Sequence, residues 1–219
     1  MNLLLFFCEE VFMATKVEKK NTIRKLIIES AKSYSEKLAG KTFLYVYGDE
    51  YFEILFKTDK FKHLTGVDSK ISAVQFYKYA KESKLTTSQF GFSKDHPYSN
   101  ALKKLTYLAR LHELTDSLVC VLKDMNTVTV TYKIGLTNLD FTLCLVNDTS
   151  YSDHNWFLPM SLRIKDKAIE NSRGGEFVDF IFVKEAAAEK YGKVLFSDSE
   201  KSLPDSVLNM LSDDLFKKL

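Results

Sequence analysis

SLVCVLKDMNTVTVTYKIGL, residues 117–136, decides the fold class, because its apolar residues follow the period of a β-strand. From Thr127 to Ile134 every second residue is apolar, and the residues between them are threonine or lysine. A period of two places one set of side chains in a core and the other on a polar face. The stretch therefore predicts two strands joined at residues 124–126, the second of which carries a threonine and lysine face.

Other segments of the chain share this strand-like character. Residues 42–47 and 51–56 are rich in aromatic and β-branched residues, and Gly48-Asp49 between them favours a tight hairpin turn. The run 176–183 is almost continuously apolar, which predicts a central strand. Further strands are predicted at FTLCLV (141–146) and WFLPMSLRI (156–164).

Helical periodicity appears on both sides of these strands. Apolar residues recur every three or four positions from Thr22 to Leu38, and Gly40 supplies a stop. Ser72 followed by Gln75 resembles a capping box and predicts a helix over 73–83. Further helices are predicted at YSNALKKLTYLARLHEL (98–114), at 184–191 and at 205–218.

The order of these elements is a helix, a hairpin, two helices, a run of strands and closing helices. This order is not a regular βαβ alternation, so we predict an α+β fold with a mostly antiparallel β-sheet, N-terminal helices and flanking helices. A chain of 219 residues is long enough for one domain with a substantial core. We predict a single α+β domain over 21–192 and a C-terminal helical tail over 193–219.

The first 20 residues are predicted to be a disordered extension or the product of a wrongly chosen start codon. Glu9, Glu10 and Val11 can be encoded by GAGGAGGT, the consensus bacterial ribosome-binding sequence, just upstream of Met13. The hypothesis is that Met13 is the true start in a bacterial or phage gene. The nucleotide sequence of that stretch tests it.

Composition excludes several classes of protein. A hydrophobic fraction of 45%, a charged fraction of 27% and a net charge of +2 are typical of a globular protein and neither demand nor exclude nucleic acid. Three cysteines without C-x-x-C spacing indicate neither a disulfide framework nor a zinc site. No segment is long and apolar enough for a membrane span. We therefore predict a cytoplasmic protein without a membrane partner.

The stretch FKHLTGV (61–67) combines residue types that suit a phosphate site. His63 titrates near neutral pH, the hydroxyl of Thr65 can contact a phosphate oxygen, and Gly66 lets the backbone approach a ligand. Other familiar sites are missing from the sequence. There is no glycine-rich phosphate loop before a helix, no paired histidines of a helical zinc site and no second His-x-Thr motif.

Two pairs of polar residues lie two positions apart on predicted strands. Ser161 and Arg163 point to one side of their strand, and Thr131 and Lys133 share a side in the same way. If these faces converge with His63, they supply a base, cations and hydroxyls. Those groups suffice for RNA cleavage by the ribose 2′-hydroxyl, with no metal or other cofactor.

Several segments resemble one nuclease family. They span about residues 40–192 and are YVYGDEYFEILFKTDKFKHLTGV, KLTTSQFGFSKD, SLVCVLKD, YKIGLTNLDFTL, LPMSLRIKDKAIE and FVDFIFVKE. Together they resemble the phage-associated nuclease family named for barnase, EndoU, colicin and RelE, in its fourth phage branch. The resemblance implies a RelE/barnase-like fold, in which helices precede an antiparallel sheet that carries the active site.

The resemblance also implies roles for individual residues. His63 is expected to be the general acid or base, and Arg163 and Ser161 to stabilise the transition state, with help from Lys133. Thr65 is expected to contact phosphate. A second histidine is not apparent at an equivalent place, and the threonine face adds Thr131 as a substrate-binding residue.

Each assignment has a structural alternative. His63 would then cap the loop after the second hairpin strand, and Lys133 would belong to a solvated sheet face. Arg163 would form an ion pair with Asp179 or Glu176 on a neighbouring strand.

The resulting hypothesis is a metal-independent endoribonuclease of phage or mobile-element origin. RNA is its expected partner, together with a cognate immunity or host protein, and the sequence does not specify the oligomeric state. The alternative is a non-catalytic interaction or counter-defence protein on the same scaffold, and a third candidate is a nucleotide-binding regulator.

Overall fold

A computed structural model describes residues 15–116, 118–126, 131–149, 156–166 and 173–218. The hypothesis of a start at Met13 and the alternation at Val128 and Val130 therefore lie outside the described residues. Among the described residues, no helix has both the length and the apolar character needed to cross a membrane.

Helices dominate the first half of the chain. They are α1 (Lys16–Lys37), α2 (Phe61–Thr65), α3 (Ala73–Lys81) and α4 (Tyr98–Leu108), with 3-10 turns at Thr58–Lys60 and Leu111–Thr115. The strands of this half are β1 (Lys41–Tyr47), β2 (Glu50–Leu55), β3 (Asp68–Ser69) and β4 (Phe90–Gly91).

Strands dominate the second half. They are β5 (Cys120–Asn126), β6 (Thr131–Thr137), β7 (Thr142–Asn147), β8 (Trp156–Arg163), β9 (Arg173–Phe177), β10 (Phe180–Glu185) and β11 (Lys193–Ser197). Two short helices follow, α5 (Asp205–Leu208) and α6 (Asp213–Phe216).

Helix α1 begins inside the predicted N-terminal extension. The Thr15 hydroxyl accepts a hydrogen bond from the Glu18 backbone N–H, and the Glu18 carboxylate accepts one from the Thr15 N–H. These reciprocal bonds satisfy two of the free donors at the helix start. Residues 16–20 are therefore helical, which corrects the prediction of disorder for that part of the extension.

The main sheet is mostly antiparallel, as predicted. Its strand order is β11-β10-β1-β2-β8-β7-β6-β5-β9, and β3 pairs with β4 in a separate small sheet. The predicted hairpin is present, with Tyr47 opposite Glu50 across the Gly48-Asp49 turn. The single parallel pairing among the described strands joins β2 to β8. The α+β class and the N-terminal helices are thus confirmed.

The apolar run 176–183 is not one central strand, and that prediction was wrong. It divides into the end of β9 and most of β10, which lie toward opposite ends of the strand order. At the bend between them, the Val178 N–H donates to the Val119 carbonyl and the Asp179 N–H donates to the Val46 carbonyl. The chain thus passes from pairing with β5 to pairing with β1, so the bend brings the start of β5 close to the end of β1.

Three other local predictions also need correction. Residues 124–126 belong to β5 rather than to a turn. The segment 184–191 forms the end of β10 and turns instead of a helix. Residues 193–197, placed in a helical tail, form strand β11 of the sheet.

Apolar side chains pack on both faces of the sheet. Helices α1 to α4 cover one face in the larger cluster, which includes Ile27, Phe61, Leu105 and Leu162. The C-terminal helices cover the other face of β1 and β10, in a cluster whose members are Leu44, Val46, Phe180, Phe182, Tyr191, Val207, Leu211 and Leu215.

A buried carboxylate links this C-terminal layer to the sheet. Glu53 on β2 is only 3% exposed. Its Oε1 accepts a hydrogen bond from the Tyr191 hydroxyl at 2.5 Å, and its Oε2 accepts one from the Trp156 indole at 2.6 Å. Because a carboxylate is expensive to bury without donors, both contacts are needed to keep it in place.

Replacing Glu53 with leucine is expected to lower the free energy of unfolding by about 2–4 kcal/mol, because two buried donors lose their acceptor. Urea unfolding followed by circular dichroism measures the change. Tyr191→Phe is the matched control, because it removes one of the two bonds and should cost less. A Glu53→Leu protein as stable as the unmodified one would contradict this account.

Candidate active site

The segment that carries His63 is a short helix. Helix α2 ends at Gly66, whose φ of +71° is a left-handed conformation that glycine adopts without strain. The helix packs against β8 and α4. His63 therefore lies within a helix. It does not cap a loop after β2, as the structural alternative supposed.

The His63 side chain is exposed at the surface of α2. Its pKa lies below the ordinary value of 6.5, because partial burial and the positive charges of Lys62 and Lys60 disfavour the protonated ring. The imidazole is therefore biased toward its neutral form, in which one nitrogen accepts a proton. The charges that act on His63 come from its own segment, 59–62.

Thr65 has a structural position. It is fully buried, its hydroxyl donates to the Lys62 carbonyl at 2.7 Å, and the same oxygen accepts from the Val67 N–H at 3.4 Å. These contacts stabilise the end of α2. They argue against the phosphate contact predicted for Thr65, since the hydroxyl does not reach the surface.

The Lys104 side chain packs against Gly66, which has no side chain of its own. A Cβ atom at Gly66 would lie 2.9 Å from Lys104 Cδ and 3.7 Å from Ala101 Cα. The stem of Lys104 therefore runs directly over the end of α2. His63 lies in the same helix, three residues before Gly66, and its side chain is exposed.

Gly66→Ala is expected to destabilise the protein by about 1–2 kcal/mol, because alanine is strained at positive φ. The new methyl group would also displace Lys104, so the loss of stability should exceed that caused by the positive φ alone. Thermal unfolding measures the loss. Gly40→Ala is the control, because φ there is also positive, at +78°, with no atom within 4 Å of the added Cβ. Equal losses of stability in both variants would contradict the close contact between Lys104 and Gly66.

Ser161 and Arg163 share one face of β8, as predicted. Ser161 lies opposite Cys144 and Arg163 lies opposite Thr142, whereas Leu162 between them points into the helix-side core. Ser161 is buried at 9% exposure, but the Arg163 side chain is 29% exposed. Arg163 therefore remains accessible from solvent, whereas Ser161 is almost completely buried.

Arg163 does not form the ion pair that the structural alternative supposed. Asp179 accepts a hydrogen bond from the Gly48 N–H at 2.7 Å, and Glu176 pairs with Lys123 at 2.9 Å. Arg163 instead contacts Asp166 at 3.2 Å. That partner is 30% exposed and lies just after the strand.

Five side chains from four other parts of the fold surround Arg163. We call the set the Arg163 cluster: Lys104, Tyr132, Thr142, Cys144, Arg163 and Asp166. Desolvation opposes the charge of Arg163, but a hydrogen bond with Tyr132 and the nearby Cys144 and Asp166 raise its pKa. Burial raises the pKa of the Cys144 thiol to about 11, so the thiol is neutral near pH 7.

Lys104 is the second cation of the cluster. Its pKa is lowered from the ordinary value of 10.5, first by desolvation and then by the positive charge of Arg163. Among the described residues, no carboxylate contributes to the pKa of Lys104. Two cations thus lie close together in a partly desolvated place, and Asp166 contacts Arg163.

Two polar atoms of the cluster have no hydrogen-bond partner among the described residues. They are Arg163 Nε and Thr142 Oγ1, both buried and on directly opposite residues of β8 and β7. A buried polar atom without a partner costs about 1–3 kcal/mol. Excess positive charge and free hydrogen-bonding capacity together favour an anion in this cluster.

Tyr132, rather than Lys133, reaches Arg163. Asp124 lies opposite Lys133 and has a φ of +52°. Near this residue, side chains no longer alternate regularly between the two faces of the sheet. Tyr132 and Met125 pack with Cys144 in one small apolar cluster. Thr131 and Lys133 are exposed, as predicted for the polar face.

Sequence reasoning missed Lys104, Tyr132 and Thr142. Lys104 lies beside Lys103 in the predicted helix, and no sequence signal marks its approach to β8. Among the described residues, no group of three or more His, Cys, Asp or Glu side chains is arranged to hold a metal ion. The structure thus places two neighbouring cations, Lys104 and Arg163, at β8, and an exposed imidazole on helix α2, which packs against β8.

A family model described as phage-Barnase-EndoU-ColicinE5/D-RelE like nuclease 4 matches residues 26–201, well over half of the chain. No curated protein and no solved structure matches. The matched segment contains α2, α4, β8 and all members of the Arg163 cluster.

Proposed function

Because the chain belongs to this phage-type nuclease family, we propose that it is a metal-independent endoribonuclease whose active site is the Arg163 cluster together with His63. The observation that carries the proposal is the pair of neighbouring cations, Lys104 and Arg163, with unsatisfied polar atoms around them. A phosphodiester supplies the negative charge and the oxygen acceptors that this pair lacks.

The proposed reaction begins with the ribose 2′-hydroxyl. Neutral His63 accepts the hydroxyl proton while the 2′-oxygen attacks the phosphorus, and the bond from phosphorus to the 5′-oxygen breaks. Arg163 stabilises the charge that develops on the phosphoryl oxygens. Lys104 donates a proton to the departing 5′-oxygen, a role favoured by its lowered pKa.

This assignment of Lys104 predicts that Lys104→Arg retains RNA binding but loses turnover. Arginine keeps the positive charge and cannot act as a proton donor near neutral pH. We expect kcat to fall by about 10²-fold, at the low end of acid–base contributions, with little change in KM. Lys103→Arg on the outer face of α4 is the matched control. A Lys104→Arg enzyme with unchanged kcat would show that Lys104 acts by charge alone.

The function itself is tested with purified protein and total RNA, with and without EDTA. Attack by the 2′-hydroxyl leaves a 2′,3′-cyclic phosphate and a 5′-hydroxyl, which enzymatic end labelling distinguishes from other products. A substrate with a single 2′-deoxynucleotide at the cleavage site should resist the enzyme.

Three outcomes separate the candidate functions. Cleavage in EDTA with cyclic phosphate ends supports the proposal. Cleavage of DNA, or complete loss of activity in EDTA, would contradict the proposed reaction while leaving a nuclease of another mechanism. A folded protein that cleaves neither RNA nor DNA would favour the non-catalytic interaction protein.

A further inference from the structure

A second place on the molecule has the features of a ligand site. It is an open cavity of about 590 Å³ between the end of α1, the turn Leu111–Thr115 and strands β1, β10 and β11. None of its lining residues belongs to the Arg163 cluster, and His63 does not line it. Its volume lies in the range of small-molecule pockets. The inference that follows does not rest on the activity proposed above.

The floor of the cavity is apolar. Phe43, Val183 and Leu195 line it from the helix side of the sheet, where Phe43 lies opposite Val183 across β1 and β10. Val183 and Leu195 remain partly exposed because the end of α1 covers only part of this region. A flat ring can therefore lie on aliphatic side chains here.

One wall of the cavity brings two nitrogen groups together without an anion. Lys37 Nζ lies 2.9 Å from His112 Nε2. An ammonium has no acceptor, so Lys37 donates and the imidazole keeps its proton on Nδ1. His112 Nδ1 is buried and has no partner among the described residues. An anionic oxygen that replaced His112 Nε2 as the acceptor of the Lys37 ammonium would give this cation the negative charge that it lacks here.

Charge around the cavity favours an anion with polar substituents. Five lysines and three carboxylates line it. Lys193 on β11 pairs with Val183 on β10, so its side chain lies on the same face of the sheet as the cavity floor. Lys41 Nζ donates a hydrogen bond to the Glu36 carbonyl at the end of α1, at 2.9 Å. The carboxylates of Asp116 and Glu185 can accept hydrogen bonds from amino or hydroxyl groups of the same ligand.

We propose that this cavity binds a nucleotide, with the phosphate at Lys37 and the base on Val183 and Leu195. The apolar floor, the lysine ammonium groups and the carboxylate acceptors each match one part of a nucleotide. The ligand is either a free mononucleotide or a nucleotide of an RNA strand, since both present the same chemistry.

Binding is measured by isothermal titration calorimetry on the full chain carrying Arg163→Ala. This background removes the guanidinium with which the proposed active site would bind phosphate. The probes are uridine monophosphate, adenosine monophosphate, inorganic phosphate and a short single-stranded RNA. The test variant combines Lys37→Glu with Lys193→Glu, both at exposed positions. The matched control combines Lys32→Glu with Lys81→Glu, which are exposed lysines outside the cavity.

We expect both mononucleotides to bind more tightly than phosphate, and the test variant to weaken their binding at least tenfold while the control does not. If the variant also weakens RNA binding and mononucleotides compete with RNA, the ligand is part of a strand. If RNA binding is unchanged, the ligand is a free nucleotide. Absence of mononucleotide binding, binding no tighter than phosphate, or equal effects of both variants would overturn the proposal.

Discussion

Replacing Arg163 with alanine is expected to lower RNA cleavage by about 10²–10³-fold, the usual effect of removing one group that stabilises a developing oxyanion. The protein should remain folded, because the side chain is 29% exposed and its ion pair with Asp166 is half-buried at most. Initial rates on a fluorescent RNA substrate measure the loss, and circular dichroism verifies the fold.

The comparison variants for this prediction are Arg163→Lys and Arg110→Ala. Lysine keeps the charge but loses the planar set of donors, so it should recover only part of the rate. Arg110 is an exposed arginine that pairs with Glu113 at 2.7 Å on another part of the surface, and its loss should leave cleavage unchanged. Equal rates for Arg163→Ala and the unmodified enzyme would rule out the Arg163 cluster as the catalytic centre.

Replacing His63 with alanine is expected to reduce kcat by about 10²–10⁴-fold, the range for loss of a general base. The pH profile gives a second and independent readout. A base works when it is unprotonated, and the pKa of His63 is lowered from 6.5, so the rate should rise with pH with a midpoint below pH 6.5. At high pH the rate should fall again with a midpoint below pH 10.5, because Lys104 with its lowered pKa loses the proton it donates.

Alanine at His96 is the matched control for His63. His96 is also an exposed histidine, and its Nδ1 contacts Asp68 Oδ1 at 2.7 Å. Its loss should change neither kcat nor the acidic limb of the profile. If His63→Ala keeps the acidic limb, another group is the base, and the role assigned to His63 is wrong.

Sequence periodicity predicted the sheet well, because strands with one buried face alternate in a way that no other element reproduces. The β1–β2 hairpin and the common face of Ser161 and Arg163 were both accessible to this reasoning. The same reasoning failed at 176–183, since an apolar run does not show where a strand changes its neighbour. It failed again at Tyr132. Asp124 on the partner strand has a left-handed conformation, and near it side chains no longer alternate regularly between the two faces of the sheet.

The candidate site was less accessible than the fold. His63 and Arg163 were identified from residue type and from family resemblance, and their roles stay predictions. Lys104 could not be found, because its importance comes from a crossing between α4 and the end of α2 that joins residues far apart in sequence. Contacts of this kind depend on packing between elements, which the spacing of residues within one element does not encode.

The bend at Val178-Asp179 has a consequence for synthesis of the protein on the ribosome. Until that stretch has left the exit tunnel, β1 lacks β10 and β5 lacks β9 as a neighbour. Unpaired strand edges recruit other chains, and such long-range pairings form slowly. A nascent chain that already contains Arg163 therefore still has two incompletely paired strands, so the sheet is completed only after most of the chain has been translated.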